Sequence, residues 1–106
     1  MELGDWYFKG VNLSRTDLQE TKFTHTNLSG CNFGEAKILE TRFICANLTD
    51  TDFRNAKIIL DVSFTEANLT RANFFGVDSR EILKAISDDA YFQDTIMPNG
   101  TILSSD

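Results

Sequence analysis

The side chains that could do chemistry are few, and their spacing does not bring them together. His25 is the single histidine, so no pair of imidazoles can hold a metal ion and no second histidine can relay a proton. It follows Phe23 by two residues, a place that reads as an outward corner, and a plain surface role is expected. Cys31 and Cys45 are too few for a disulfide framework. Cys31 reads as a small core filler and Cys45 as an exposed thiol. Glu20, Glu40 and Asp61 recur at near-equal intervals and would stack on one corner, where a column of carboxylates could bind a hard cation. Lys37 and Lys57 are expected near the same corner, which favours a solvated, neutralised stripe. Thr16, Thr21, Thr26, Thr41 and Thr51 read as inward residues bonded to backbone. There is no glycine-rich phosphate loop, no nucleophile elbow and no Cys/His metal spacing. The chain therefore reads as noncatalytic, with no cofactor, no metal ligand and no small-molecule substrate.

What positions these residues is a period of five. Phe8, Leu13, Leu18, Phe23, Leu28, Phe33, Ile38, Phe43, Leu48, Phe53 and Ile58 follow at constant spacing. One extra residue then enters, and Phe64, Leu69 and Phe74 resume the count. Two residues before each stands a smaller one, among them Thr26, Cys31, Ala36, Ala46, Ala67 and Ala72, with Trp6 the exception. Between small and large sits a polar residue, often Asn or Asp. Side chains two apart on an extended chain share a side, so small and large face inward and the polar residue outward. A helix needs apolar spacings of three and four, and a continuous strand needs strict alternation. Five fits neither, so a turn must reset the direction in every repeat.

Residues twenty apart sort by type. Allowing for the inserted residue, one column reads Phe8, Leu28, Leu48, Leu69 and the next Leu13, Phe33, Phe53, Phe74. The third reads Leu18, Ile38, Ile58 and the fourth Phe23, Phe43, Phe64. Like side chains stack well across the ~4.8 Å between neighbouring strands. Such sorting is expected if four repeats make one coil and coils lie on one another.

Ala46-Asn47-Leu48-Thr49-Asp50 and Ala67-Asn68-Leu69-Thr70-Arg71 match the pattern A(D/N)LXX, and on these residues the chain resembles the pentapeptide-repeat proteins. The resemblance covers residues 6–77. It implies an all-β solenoid, a right-handed quadrilateral parallel β-helix, here of about four coils. The whole chain, 1–106, is expected to form a single domain, with the β-helix over 6–77 and a C-terminal helix and cap over 78–106. In the latter, Asp78 and Glu81 read as a helix N-cap and its capping-box acid. Ile82, Leu83 and Ile86 form an apolar stripe, and the helix is expected near 79–87. Beyond it, Ala90-Tyr91-Phe92 and Thr95-Ile96-Met97 recover the small-x-large pattern, as a partial last coil or a cover for the helix. Pro98-Asn99-Gly100 reads as a turn and the tail after Leu103 as loose. At the other end, Trp6, Tyr7 and Phe8 are read as plugging the first coil.

The formal net charge of −6 disfavours nonspecific binding to nucleic acid or to anionic membranes. Residues 11–77 are nearly neutral, whereas 78–106 hold six acids against Arg80 and Lys84. No run of apolar residues is long enough to span a bilayer. The first five residues lack the basic and apolar regions of a signal peptide, which points to the cytoplasm.

One surface stands out. Leu39 follows Ile38 where an outward residue belongs, Ile59 and Leu60 follow Ile58 where the extra residue enters, and Ile44 lies round the corner. These four form a candidate interaction patch, aimed by the inserted residue as by a bulge. The function expected is a protein–protein interaction or structural module. Its partner is an unnamed protein or a second copy bound through the N-terminal end or an apolar face. Two alternatives stand beside it. A DNA-mimic topoisomerase (gyrase) inhibitor, a role the resemblance implies for some members, needs a long acidic rod, whereas four coils reach only about 20 Å. A separately encoded segment of a longer solenoid is suggested by the N-terminal end, which no helix precedes.

Overall fold

A computed structural model describes residues 6–87 and 89–104, and in it the period of five becomes a stack of coils. Tyr7 bridges Asn27, Asn12 bridges Asn32, Asp17 bridges Lys37 and Lys22 bridges Arg42, all in parallel. The first coil therefore makes four short extended contacts with the coil twenty residues on. The ladder alternates. The N–H of each large residue donates to the carbonyl of the outward residue above it, as Leu28 does to Asn47 at 2.8 Å. The N–H of that outward residue donates back, as Asn47 does to Thr26 at 3.0 Å.

The turn that resets direction is the same in every repeat but those of Ile38 and Ile58, where the chain bends after a short strand. The carbonyl of the large residue accepts the N–H three residues on, as Phe43 does from Ala46 at 3.1 Å. The third residue of the turn is left-handed throughout: every fifth residue from Gly10 to Asn55, then Asp61 to Gly76, has φ between 52° and 83°. Only Gly10, Gly30 and Gly76 of these are glycines; elsewhere a side chain tolerates a conformation that costs roughly 1–2 kcal/mol. The outward Asn or Asp helps hold it. Asn47 Oδ1 accepts from the Thr49 N–H at 3.1 Å and from its hydroxyl at 2.6 Å, and Asn27, Asn68 and Asn99 repeat the arrangement with Ser29, Thr70 and Thr101. This is the physical content of the (D/N) in the repeat: a short side chain satisfies the N–H that the corner leaves over.

Inside, the large residues form columns. Phe43 stacks between Phe23 and Phe64, with centroids 5.4 and 5.0 Å apart, and Phe53 stacks between Phe33 and Phe74 at 4.6 and 4.8 Å. Rings of adjacent columns meet edge to face, as Phe43 and Phe53 do at 5.9 Å. From Leu18 to Phe74 every large residue of the repeat is buried; Phe8 and Leu13, in the first coil, are half-buried and pack on the same cluster. Trp6 lies over Phe8 with ring centroids 6.2 Å apart, yet Trp6 and Tyr7 themselves stay exposed. The buried threonines are satisfied by backbone: Thr41 donates to the Leu18 carbonyl at 2.9 Å and Thr51 to that of Leu48 at 2.7 Å.

Two stretches are regular enough to be strands on one side of the stack, β1 (Lys37–Leu39) and β2 (Lys57–Leu60). Lys37 pairs with Lys57 and Ile38 with Ile58, but Leu39 pairs with Leu60, so the register slips by one residue at Ile59. From there bridges span 21 residues, Arg42 to Ser63, Asn47 to Asn68 and Asp52 to Asn73.

The helix α1 spans Ser79–Ile86, one residue short of the expected 79–87, and Asp78 caps it by accepting the Arg80 N–H at 3.0 Å. Ile82 is buried in the core cluster. Leu83, read as part of the same stripe, is exposed, because one helical step turns it about 100° away from Ile82. The side chain of Ile86 lies outside the described residues. After α1 the chain rejoins the stack. Tyr91 bridges Asn68 and Ile96 bridges Asn73, so a partial fifth coil lies over the fourth on two sides, and α1 takes the place of the other two. Strand β3 (Thr95–Ile96) then turns through Pro98-Asn99-Gly100 and pairs antiparallel with β4 (Ile102–Leu103). The last two residues and the first five lie outside the described residues, as do the readings made for them.

Candidate interaction surface

The patch foreseen on the third side divides in two. Ile59 and Leu60 are exposed, at 45% and 46%, whereas Leu39 and Ile44 are half-buried. The cause is local. In β1 the residue after Ile38 has a regular partner above it, whereas in β2 the extra residue makes Ile59 the unpaired member of a bulge, and a bulge pushes its side chains out of the pleat. Ile44 sits one repeat further on, on the next side.

Helix α1 crosses beside this strand and leaves a groove on each flank. One, of about 690 Å³, is lined by Lys57, Ile59, Gly76, Arg80, Glu81 and Lys84. The other, of about 490 Å³, is lined by Arg42, Leu60, Asp61, Val62, Glu81 and Lys84. Glu81 and Lys84 separate the two and approach each other to 3.7 Å. Each groove thus pairs one exposed aliphatic residue with charges of both signs. That composition suits a protein surface, with an apolar anchor and a polar rim.

The other candidates stand apart. Glu20, Glu40 and Asp61 do line one shallow surface depression, but Lys22 and Arg42 share it rather than Lys37 and Lys57. The neutralising bases come from the following side of the coil, where the corner points, and Arg42 donates to the Asp61 carbonyl. Among the described residues no group of three His, Cys, Asp or Glu is placed to hold a metal ion. Nor is any helix among them long and apolar enough to cross a membrane. His25 occupies an exposed left-handed corner at φ 56°. The exposed ion pairs Arg71–Asp50 (2.6 Å) and Arg54–Asp52 (2.8 Å) hold the two aspartates below the usual carboxylate range, chiefly through the hydrogen bonds from arginine. Exposed pairs of this kind add little stability.

The thiols differ. Cys31 is fully buried and donates to the Phe8 carbonyl at 3.0 Å; burial raises its pKa against the opposing pull of backbone N–H groups at Val11 and Gly10. Cys45 is half-buried on a corner, 3.5 Å from Glu66 Oε2, and its pKa is raised first by desolvation and then by that carboxylate. Cys45 should therefore react sluggishly with a disulfide reagent at neutral pH, and Glu66→Gln should speed it severalfold by removing one of the groups that oppose the thiolate. Stopped-flow labelling across pH 7–9 checks this; equal rates in the two proteins would remove Glu66 as a cause. Cys31 should label only on unfolding.

Sequence reasoning missed a second apolar surface, at the C-terminal end. Val77, Leu83, Met97, Pro98, Thr101 and Leu103 line a groove of about 520 Å³ between α1 and the β3–β4 hairpin. Phe75 and Ile102 are exposed beside it. One signal was available: Ser14, Gly34 and Arg54 precede Phe75 in a column that is otherwise polar or small.

The comparisons with known proteins agree with this architecture. The family model for pentapeptide repeats, eight copies in length, matches residues 7–34. The crystal structure of HetL, a pentapeptide repeat protein involved in heterocyst differentiation regulation in the cyanobacterium Nostoc sp. strain PCC 7120, aligns with a TM-score of 0.56 and 29% identity, over 96% of this chain and 43% of HetL. A pentapeptide repeat protein of the Arabidopsis thaliana thylakoid lumen aligns with a TM-score of 0.59 and 25% identity, over 86% of this chain and 61% of that one. The chain thus spans less than two thirds of either relative's length. No curated protein sequence matches it.

Proposed function

This chain is a pentapeptide-repeat protein, and on that premise we propose that it works as a noncatalytic protein-interaction module built on a right-handed, four-sided β-helix. The observation that carries the reading is the bulge at Ile59. It turns Ile59 and Leu60 outward beside α1, in a fold that buries its other aliphatic residues from Leu18 to Phe74 except the half-buried Leu39, Ile44 and Val62. Ile59 and Leu60 each keep nearly half their surface in water, and burying the rest against a partner would recover about 1 kcal/mol for each. The charged rim of Arg42, Lys57, Glu81 and Lys84 would select which surface does so.

The test compares wild type with an Ile59→Ser/Leu60→Ser double variant, each tagged and used to capture proteins from an extract of the source cells. Both residues are exposed, so the variant should melt within a few degrees of wild type. A protein held by wild type should be lost by the variant, with affinity reduced tenfold or more. Undiminished capture by a folded variant would remove this surface from the function.

A further inference from the structure

From the groove between β2 and α1 we infer that the partner enters it as an extended segment, laid parallel to β2 as the strand missing above it, with an acidic residue beside Lys57 and an aliphatic one beside Ile59. This partner chemistry presupposes the interaction role given above to Ile59 and Leu60. The backbone provides the first half of the case. On the first two sides of the stack each large residue donates its N–H to the next coil, as Phe53 does to the Asn73 carbonyl at 2.8 Å. The small residue before it accepts in return, as the Thr51 carbonyl does from the Asn73 N–H at 3.0 Å. Above β2 no coil follows, because α1 takes that place. Among the described residues the Ile58 N–H and the Ala56 carbonyl have no hydrogen-bond partner. Both residues line the groove of about 690 Å³ although their side chains are buried, so what they give it is backbone. A strand edge with open donors and acceptors takes up an extended chain readily. The volume is that of pockets that hold a ligand.

The charges choose the occupant. Lys37 and Lys57 are register partners and both are exposed, so their side chains stand side by side on the outer face, roughly 4.8 Å apart, where like charges repel. Among the described residues neither ammonium has an ion-pair partner. The other bases of the groove are engaged, Arg80 with Asp78 at 3.1 Å and Lys84 with Glu81 at 3.7 Å. Lys57 therefore supplies the uncompensated charge of the groove, a positive one in a chain of net charge −6. Lys57 and Ile59 stand two apart on β2 and face the same way. A parallel strand one step up the ladder sets a carboxylate beside Lys57 and, two residues on, an aliphatic side chain beside Ile59. A nucleic-acid strand would bring the anion without the peptide N–H or the aliphatic anchor, and the net charge opposes its approach.

The test titrates a synthetic peptide, capped at both ends, into the isotope-labelled intact chain and follows its amide resonances. The peptide alternates glutamate and leucine at every second position, with threonine between. It should bind below millimolar concentration, move the Ile58 and Ile59 amide resonances, and slow hydrogen exchange at the Ile58 N–H at least tenfold. The same peptide with lysine for glutamate should bind at least tenfold more weakly. Lys57→Glu should reverse that preference while melting like wild type, since its side chain is exposed. A glutamate peptide that fails to bind at millimolar concentration overturns the inference. So does one that binds no better than the lysine peptide, or one that leaves the Ile58 amide unmoved. A single-stranded DNA oligomer that displaces the peptide, and that Lys57→Glu no longer binds, overturns it in favour of nucleic acid. If the peptide fails while Ile59→Ser/Leu60→Ser still abolishes capture, the surface stands and this partner alone is lost. If capture survives that double variant, the surface itself has no part in the function.

Discussion

Replacing Phe43 by alanine should lower the unfolding free energy by about 3–5 kcal/mol, a large part of what a domain of this size has. Phe43 is fully buried at the middle of the stack. Its ring lies face to face with Phe23 below and Phe64 above, and edge to face with Phe33 and Phe53. Truncation therefore empties a site with neighbours on every side, and the ladder on either side of it holds the coils at a fixed spacing, so little collapse can refill the cavity. The matching change at the end, Phe8→Ala, removes a half-buried ring that packs against only one coil and should cost about 1–2 kcal/mol. Urea unfolding of the two variants checks the contrast. A Phe43→Ala midpoint no lower than that of Phe8→Ala would mean that the aromatic columns are not where stability resides. Phe43→Leu, which keeps most of the volume, should lose far less than the alanine variant.

Ile82→Asp should do comparable damage by a different route, costing about 4 kcal/mol or more, because it places a charge where the side chain has no exposure to water. Ile82 is the described residue of α1 that joins the core cluster, so its loss unseats the helix from the two sides of the fourth coil that it replaces. The last turn of the stack then loses its cover, and solenoids depend on such capping elements. Circular dichroism should show the helical signal lost first on heating, and the melt should broaden. Leu83→Asp, one residue along, is the control. That side chain already stands in solvent, and the melting temperature should change little. If Ile82→Asp and Leu83→Asp behave alike, α1 does not cap the stack.

A good deal of this protein could be read from its sequence, for a reason particular to repeats. The stacking of Phe23, Phe43 and Phe64 was legible because the same pairing is written at every fifth residue, and each coil has only its neighbours to satisfy. The single insertion between Ile58 and Phe64 was legible for the same reason, as a break in a count. The inward place of Cys31 and the outward place of His25 also followed from position in the repeat.

What the repeat does not encode, the tertiary structure decided. How far Ile59 and Leu60 project, against the half-buried Leu39 and Ile44, depends on the bulge and on where α1 crosses, and neither follows from the period. The bases beside Glu20, Glu40 and Asp61 proved to be Lys22 and Arg42, because a left-handed corner aims its side chain toward the next side and not the last. Most of all, the end after Phe74 has no period to follow. Which way α1 turns, and so whether Leu83 or Ile82 meets the core, is set by the fit of the helix to β2 and the open sides of the third coil. So is the place where the β3–β4 hairpin closes and leaves Phe75, Ile102 and Leu103 in solvent. Repetition makes neighbours predictable; a cap is made of contacts that occur only once.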